Sequence, residues 1–507
     1  MEHGAGLGIC RRSRDVGGAG LNILALIMGL LAAGVVAAFS ERIHRNAPRW
    51  VSLIAFVVAL IYTSSAWLGA ESGTEEYARQ VLPWIPRFGI QVYLVLDGLS
   101  LMLVALTAFL GIVAVVSSWS EINERHGFFQ FNILWVMAGV VGVFSAFDLF
   151  LFFFFWEVML IPMYFLIAIW GHENRAYAAT KFFLFTQISG LLMLFAILSL
   201  VYFNYQATGV ITFNYFELRN ASLDPDVAWW LMLGFFVAFI TKLPSVPVHT
   251  WLPDAHTQAP TAGSVILAGI LLKTGGYGVI RFAVGLFPEA SQDFATVGML
   301  LGALSIVYGG YMAYSQSDFK RLVAYSSVAH MGFILLGVYA FNEIAMQGAV
   351  VTMIAHGLST AALFMMAGAL QQRLHSREMS KMGGLWVRAP RMGAMTLFFV
   401  VASVGMPGLG NFVGEFLVLL GAFQAHVPLT IAAAIGIVVA AVYGLSLMQR
   451  AFQGVPNPDV GEFEDFGARE MTVMILMMIG LVWLGVYPQL VLDLSAPVIT
   501  SLGVAGL

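Results

Sequence analysis

Apolar residues run along this chain in stretches long enough to cross a bilayer, separated by short polar connections. A hydrocarbon core of roughly 30 Å takes about 20 apolar residues as a helix. On that measure the pattern predicts helices over 21–39, 50–69, 94–118, 128–147, 149–170, 179–204, 227–250, 261–285, 295–314, 321–340, 344–370, 393–424, 429–449 and 471–494. Fourteen such crossings make an all-α polytopic membrane protein. The seventh and twelfth read as discontinuous. In the seventh, Pro244 and Pro247 lack backbone donors and clash with the preceding turn. In the twelfth, Gly405, Pro407, Gly408 and Gly410 interrupt an apolar run that resumes before Glu415. Broken backbone at membrane depth survives only where protein encloses it, usually around a hydrated cavity.

Lysine and arginine sort between the connections. Odd-numbered connections, together with the helix ends beside them, carry 15 of the 24, among them Arg373, Arg377, Lys381, Arg388 and Arg391. Even-numbered ones carry three: Arg79, Arg87 and Arg219. The positive-inside rule then makes the odd side cytoplasmic and places both termini outside. The glycine-rich segment 1–20, with Arg11, Arg12 and Arg14, runs against that rule and reads as a disordered or extension tail.

A faint internal repeat accompanies the helices. Gln187 and His356 stand 169 apart, Arg281 and Arg450 likewise 169, Tyr277 and Tyr443 166, and Lys242 and Glu415 173. The expected organisation is therefore N-terminal helices over 21–127, a first five-helix repeat over 128–290, a second over 291–455, and a loop with the last helix over 456–507. An odd number of helices per copy inverts the second copy in the membrane, an arrangement common among ion-translocating transporters.

Composition narrows the class. Of 507 residues 60% are hydrophobic and 10% charged, against about 25% charged in a soluble domain. The single cysteine, Cys10, excludes an internal disulfide and a cysteine-ligated iron–sulfur cluster, and no glycine-rich dinucleotide loop follows a strand. Redox chemistry is not expected in this chain, and a net charge of −4 gives no reason to expect nucleic acid as a partner.

Six ionisable side chains fall inside the predicted spans: Glu157, Lys242, Lys273, His330, His356 and Glu415. A charge at the bilayer centre costs about 3 kcal/mol or more, so each asks for a function or a partner. At 1.5 Å per residue, Glu157, His330 and Lys273 lie roughly 12, 14 and 18 Å into their helices, which makes a polar belt in the membrane plane. Burial and neighbouring charge set the proton affinity of such groups, so moving Glu157 relative to Lys242 loads or unloads a proton. Histidine suits the intermediate positions. His249 and His256, seven apart around a Trp-Leu-Pro-Asp turn, are read as proton uptake or connecting groups, or as partners of broken backbone, ahead of metal ligands. Asp254 is expected to cap the segment that follows it. A single Lys–Glu pair or membrane histidine can be structural glue; six at one depth on twice-broken helices point to proton transfer.

The stretch KLPSVPVHTWLPDAHTQAPTAGSVILAGILLKTGGYG closely resembles the antiporter-like subunits of proton-pumping NADH:quinone oxidoreductase, respiratory complex I. FFFFWEVMLIPMYFLIAIWGH, SDFKRLVAYSSVAHMGF and GMPGLGNFVGEF extend the resemblance over roughly residues 21–495. It implies a proton channel through Glu157, Lys242, Lys273 and Glu415, with His330 and His356 on the connecting axis. The terminal residue is a glutamate in the M type of this family and a lysine in the sister types L and N, so Glu415 matches M. The resemblance further implies a bacterial cytoplasmic membrane, partners that include L and N, and FMN, iron–sulfur clusters and quinone held by partner subunits. The alternative is a subunit of a multi-subunit cation/proton antiporter, whose homologous chains share the broken helices and lysines.

Overall fold

A computed structural model describes residues 22–69 and 74–503. The tail 1–20, with Cys10, and the extreme C-terminus 504–507 lie outside the described residues. Helices α1 (Ile23–Ser40) and α2 (Ala47–Leu68) lead into an antiparallel hairpin of β1 (Glu76–Ile85) and β2 (Ile90–Asp97). Then follow α3 (Gly98–Ser117), α4 (His126–Ser145), α5 (Leu149–Trp170), α6 (Arg175–Thr208) and α7 (Pro225–Lys242). Next come α8 (Trp251–Gln258), α9 (Thr261–Val284), α10 (Ala295–Tyr314), α11 (Phe319–Tyr339) and α12 (Glu343–Leu374). The chain ends with α13 (Pro390–Ser403), α14 (Gly410–Ala425), α15 (Val427–Ala451), α16 (Ala468–Val486) and α17 (Gln489–Ser501). Among the described residues, 13 helices are long and apolar enough to cross a membrane, and α13 and α14 are two shorter apolar helices in tandem.

Local chemistry explains the boundaries. Asn22, Asp97, Asp148, Asp318 and Asn342 each cap a helix by accepting from backbone N–H groups of its first turn. Pro225 and Pro390 open α7 and α13, where a missing N–H costs nothing. Three features depart from the hydrophobic pattern. Residues 94–97, expected as helix, complete β2, because Asp97 supplies the cap and holds the helix start to Gly98. Pro488 divides the last predicted helix, so α16 stops at Val486 and α17 forms a separate turn of chain. Helices α6 and α12 run to 34 and 32 residues, well past their apolar cores.

Both expected breaks are present. After Lys242 the backbone leaves the helix through 243–250, and its freed groups find partners. Val246 N donates to Ser305 Oγ (3.0 Å), Ser245 N to Ile240 O (2.9 Å), and Trp251 Nε1 to Thr241 O (2.9 Å). Between α13 and α14, Gly405 and Gly408 take φ of +79° and +90°, a region costly for any side-chain-bearing residue. Helix α9 contains two wide π turns, Leu267–Leu271 and Val279–Val284, on either side of Lys273.

The connections separate into two faces. On one, Arg45 (first connection) meets Asn123 (third), Asn174 (fifth) meets Gln258 (seventh), and Phe319 N (ninth) donates to Arg377 O (eleventh). On the other, Phe147 N (fourth) donates to Tyr93 O (second), Leu149 N to Phe213 O (sixth), and Asn342 (tenth) meets Gln424 beside the twelfth. Helix α9 is buried along its whole length and α11 and α12 through their apolar stretches, whereas α2 and α16 bury only a minor share of theirs, as expected of rim helices against lipid. With Cys10 replaced, Lys381→Cys and Glu289→Cys, both at exposed positions, are expected to label from opposite sides of sealed membranes with an impermeant thiol reagent. Labelling of both from one side would contradict the two-faced arrangement.

Candidate functional site

The break after α7 and the break between α13 and α14 each carry ionisable groups, and α9, α11 and α12 connect them. Lys242 is the last residue of α7 and 2% exposed. Its Nζ lies 5.0 Å from the Trp156 ring centroid and 5.9 Å from that of Phe182, with no hydrogen-bond partner. Glu157, next to Trp156 on α5, turns Oε1 into the same interior, again without a partner. A Cβ added at Gly190 would come within 2.5 Å of that oxygen, so the glycine leaves room for the carboxyl. The two charges act on each other at longer range than a direct ion pair. Gln187 bonds the Glu157 carboxyl, while Oε1 and the Lys242 Nζ keep unused hydrogen-bonding capacity.

A second cluster holds two hydrogen-bonded pairs that meet through their imidazole rings. Lys273 Nζ, on fully buried α9, donates to the Ala268 carbonyl (2.5 Å) inside the first wide turn and meets His356 Nδ1 at 2.7 Å. The His356 ring faces His330 with centroids 5.4 Å apart. His330 Nδ1 meets Glu415 Oε1 at 2.8 Å, its Nε2 meets Ser403 Oγ at 3.1 Å, and the Tyr443 hydroxyl stands 3.5 Å from Nε2. Glu415 is 3% exposed and also borders the second break, where a Cβ on Gly405 would lie 3.1 Å from Oε2. The structure thus brings Lys273, His356, His330 and Glu415 into one line and keeps Glu157 and Lys242 as a neighbouring pair. Among the described residues no side-chain hydrogen bond joins the two clusters. Close packing does: a Cβ at Gly275 would meet Leu243 N and Phe239 O, both backbone atoms of the first break, at 2.6 Å.

His249 and His256 are placed differently from each other. His249 packs edge-on against Tyr308 at 5.1 Å, with Nδ1 unpartnered. His256 stacks flat on Phe364 at 4.3 Å with both ring nitrogens unpartnered, within electrostatic range of Lys273 and Lys320. Asp254 lies within α8 and pairs with Lys181 (2.7 Å) and Arg321 (3.7 Å), so it ties helices together in place of the cap expected from the sequence. Lys242 and Glu415 sit on opposite sides of their breaks, Lys242 before and Glu415 after, so the 173-residue offset does not superpose one broken helix on the other.

Lys320 escapes a reading of the hydrophobic pattern. It is 0% exposed, donates from Nζ to Ala259 O at 2.5 Å, and faces Glu121, whose two oxygens accept from Thr261 N at 3.0 and 3.1 Å. A cation in the first turn of a helix opposes the helix dipole, and that misplacement is the signal in the sequence. Beside it, burial and the Lys320 and Arg377 cations push the His172 pKa down to about 3, so this loop histidine stays neutral. Ser403 and Tyr443 carry no marker in the sequence that separates them from ordinary packing hydroxyls.

Residues 146–441 match the family described as NADH:quinone oxidoreductase/Mrp antiporter, TM. The chain is 53% identical to the NADH-quinone oxidoreductase subunit M of Pseudomonas aeruginosa over 93% of its length and 95% of that protein. It is 51% identical to the subunit M of Escherichia coli over 90% of this chain and 92% of the relative. Among solved structures it superposes on a chain of respiratory complex I from Thermus thermophilus with a TM-score of 0.86 and 29% identity, covering 95% of this chain and all of that one. A chain of the Mrp complex from Dietzia, 23% identical with a TM-score of 0.78 over 95% of this chain and 97% of that one, shares the fold. A family match over more than half the sequence, near-complete coverage of relatives above 50% identity and the complex I backbone leave one assignment: the chain belongs to the antiporter-like membrane subunits of NADH:quinone oxidoreductase, in the subunit M branch.

Proposed function

We propose that this subunit translocates protons through a relay of Glu157, Lys242, Lys273, His356, His330 and Glu415, driven by quinone reduction elsewhere in the complex. The observation that carries the reading is the buried row formed by two hydrogen-bonded pairs, Lys273 Nζ with His356 and His330 with the Glu415 carboxyl, whose imidazole rings meet with centroids 5.4 Å apart. In the transfer direction Lys273 gives a proton to His356 Nδ1, the imidazolium so formed releases its Nε2 proton to His330 Nε2, and His330 gives its Nδ1 proton to Glu415, leaving both imidazoles neutral. Glu157 and Lys242 form the controlling pair: when Glu157 is charged, Lys242 holds its proton, and loss of that charge frees the proton to move inward. His256, with two free ring nitrogens between Lys320 and Lys273, supports a role in uptake, and His249 one at the first break.

On this reading the chain carries no redox group; FMN, iron–sulfur clusters and quinone belong to partner subunits, and the sister subunits L and N flank it in the membrane. The face bearing Arg373, Arg377 and Lys381 is cytoplasmic, and both termini lie outside a bacterial cytoplasmic membrane. The cation/proton antiporter alternative has less behind it, since a solved Mrp chain shares the fold at 23% identity while the subunit M proteins of Pseudomonas aeruginosa and Escherichia coli are 53% and 51% identical.

Lys242→Arg tests the relay. Arginine keeps the charge over Trp156 but does not release its proton. Assembly is expected to persist, with quinone reduction and NADH-driven acidification both depressed severalfold. Normal pumping by an assembled Lys242→Arg complex would exclude proton release at this residue.

A further inference from the structure

Helix α9 carries Lys273, Tyr277 and Arg281 at four-residue intervals, leading from the relay toward the face that holds the even-numbered connections. Arg281 is 4% exposed and its guanidinium is ion-paired with Asp97, whose other oxygen caps α3 through Ser100 N at 2.9 Å. The guanidinium also lies over the Phe147 ring at 4.9 Å and the Tyr277 ring at 5.5 Å. The Tyr277 hydroxyl donates to Phe144 O at 3.1 Å and stands 3.4 Å from Ser100 Oγ. On the far side, a cavity of about 160 Å³ bordered by Glu76, Asp97, Arg219, Arg281 and Ser501 opens at the even face. Lys273 is therefore separated from that cavity by about two turns of one helix, roughly 12 Å along its axis.

Such an arrangement exposes the relay to a short circuit. A proton leaving Lys273 along α9 would reach the even face without passing His356, His330 or Glu415. We propose that Arg281, held by Asp97 and clamped between Phe147 and Tyr277, is an electrostatic seal that closes this route and commits protons on Lys273 to the path through the histidines. Arginine suits the task because it neither accepts nor releases a proton. Its charge faces Tyr277 on the relay side, while Asp97 holds it from α3. Asp97 offsets most of the guanidinium's field at Lys273, so the barrier acts at the clasp itself, where a proton would have to pass the fixed cation. The inference rests on Lys273 being a proton carrier, and the test below measures the seal without turnover, so that failure of one is distinguishable from failure of the other.

The measurement is the decay of an imposed pH gradient across proteoliposomes holding the purified whole complex, followed by NADH-driven acidification in the same vesicles. Arg281→Met, which keeps bulk but removes the charge, is expected to speed the decay severalfold and to lower the gradient reached at a near-normal rate of NADH oxidation. Adding Lys273→Met to Arg281→Met is expected to slow the decay again. Asp97→Asn breaks the pair but leaves the cation, and Tyr277→Phe removes the hydroxyl; both are expected to hold a gradient like the unaltered complex and to pump. A tight Arg281→Met vesicle overturns the proposal. So does Asp97→Asn leaking as fast as Arg281→Met, which would make the clasp and not the charge responsible. Loss of pumping in assembled Tyr277→Phe would make this route an exit and also defeat the seal, an arm that stands even if Arg281→Met does not assemble.

Discussion

Glu415→Gln is expected to give a fully assembled complex that pumps protons at roughly a tenth of the normal rate or less. The amide occupies the same volume beside His330 and can hydrogen-bond to the ring nitrogen that now meets Oε1 at 2.8 Å. It cannot take up a proton. Shape, packing of α14 and the second break are all retained, so a fall in pumping isolates the titration of this one group. Glu415→Asp keeps the acid but withdraws it by about one C–C bond, roughly 1.5 Å, lengthening the contact with His330 beyond hydrogen-bond range unless α14 adjusts. Partial function is the expected result. The comparison is NADH-driven acidification of membrane vesicles at matched amounts of assembled complex. If Gln pumps like the unaltered protein, or Asp is as inactive as Gln, Glu415 does not act by accepting a proton.

The second large effect is expected at Lys273. Met is close in length and apolar, so Lys273→Met should fit the fully buried position on α9 and leave assembly intact. It removes the donor to Ala268 O and the partner of His356 Nδ1 in a single step. Pumping is expected to fall by an order of magnitude or more, with coupled NADH oxidation falling alongside it. Lys273→Arg separates charge from proton transfer: a guanidinium can bond His356 but does not release a proton, so Arg should be nearly as inactive as Met. Recovery of pumping with Arg would show that the position needs only a fixed cation. Both variants are checked by the same vesicle assay, with the assembled complex quantified after native electrophoresis.

The hydrophobic pattern was enough to find the membrane helices and both breaks, because apolar length and the Pro244–Pro247 pair are local signals. The same locality hid the hairpin: Ile90–Asp97 is a short apolar run joined to a helix, and a short apolar run does not declare its period. The six intramembrane ionisable residues were legible through their cost in lipid. Their partition into a separate pair and a row of four was not, since contacts such as His330–Glu415 join positions 85 residues apart. Lys320 was hidden by its position at a helix start on the charge-rich face, where a lysine reads as a topology signal, although its side chain turns inward to Ala259 O. The repeat was the weakest inference, because matching residue types by offset ignores the side of a break on which each residue falls.

The backbone contact of Gly275 on α9 with Leu243 and Phe239 at the first break has a mechanical meaning. With no side chain between them, the two backbones have almost no clearance, and close-packed interiors transmit displacement instead of absorbing it. The Lys242 end of α7 and the Lys273 segment of α9 therefore behave as meshed teeth. On the proposed relay, a shift at the break beside Lys242 is expected to turn or slide the helix that carries Lys273. Where no hydrogen bond joins the pair and the line, two closely meshed backbones do.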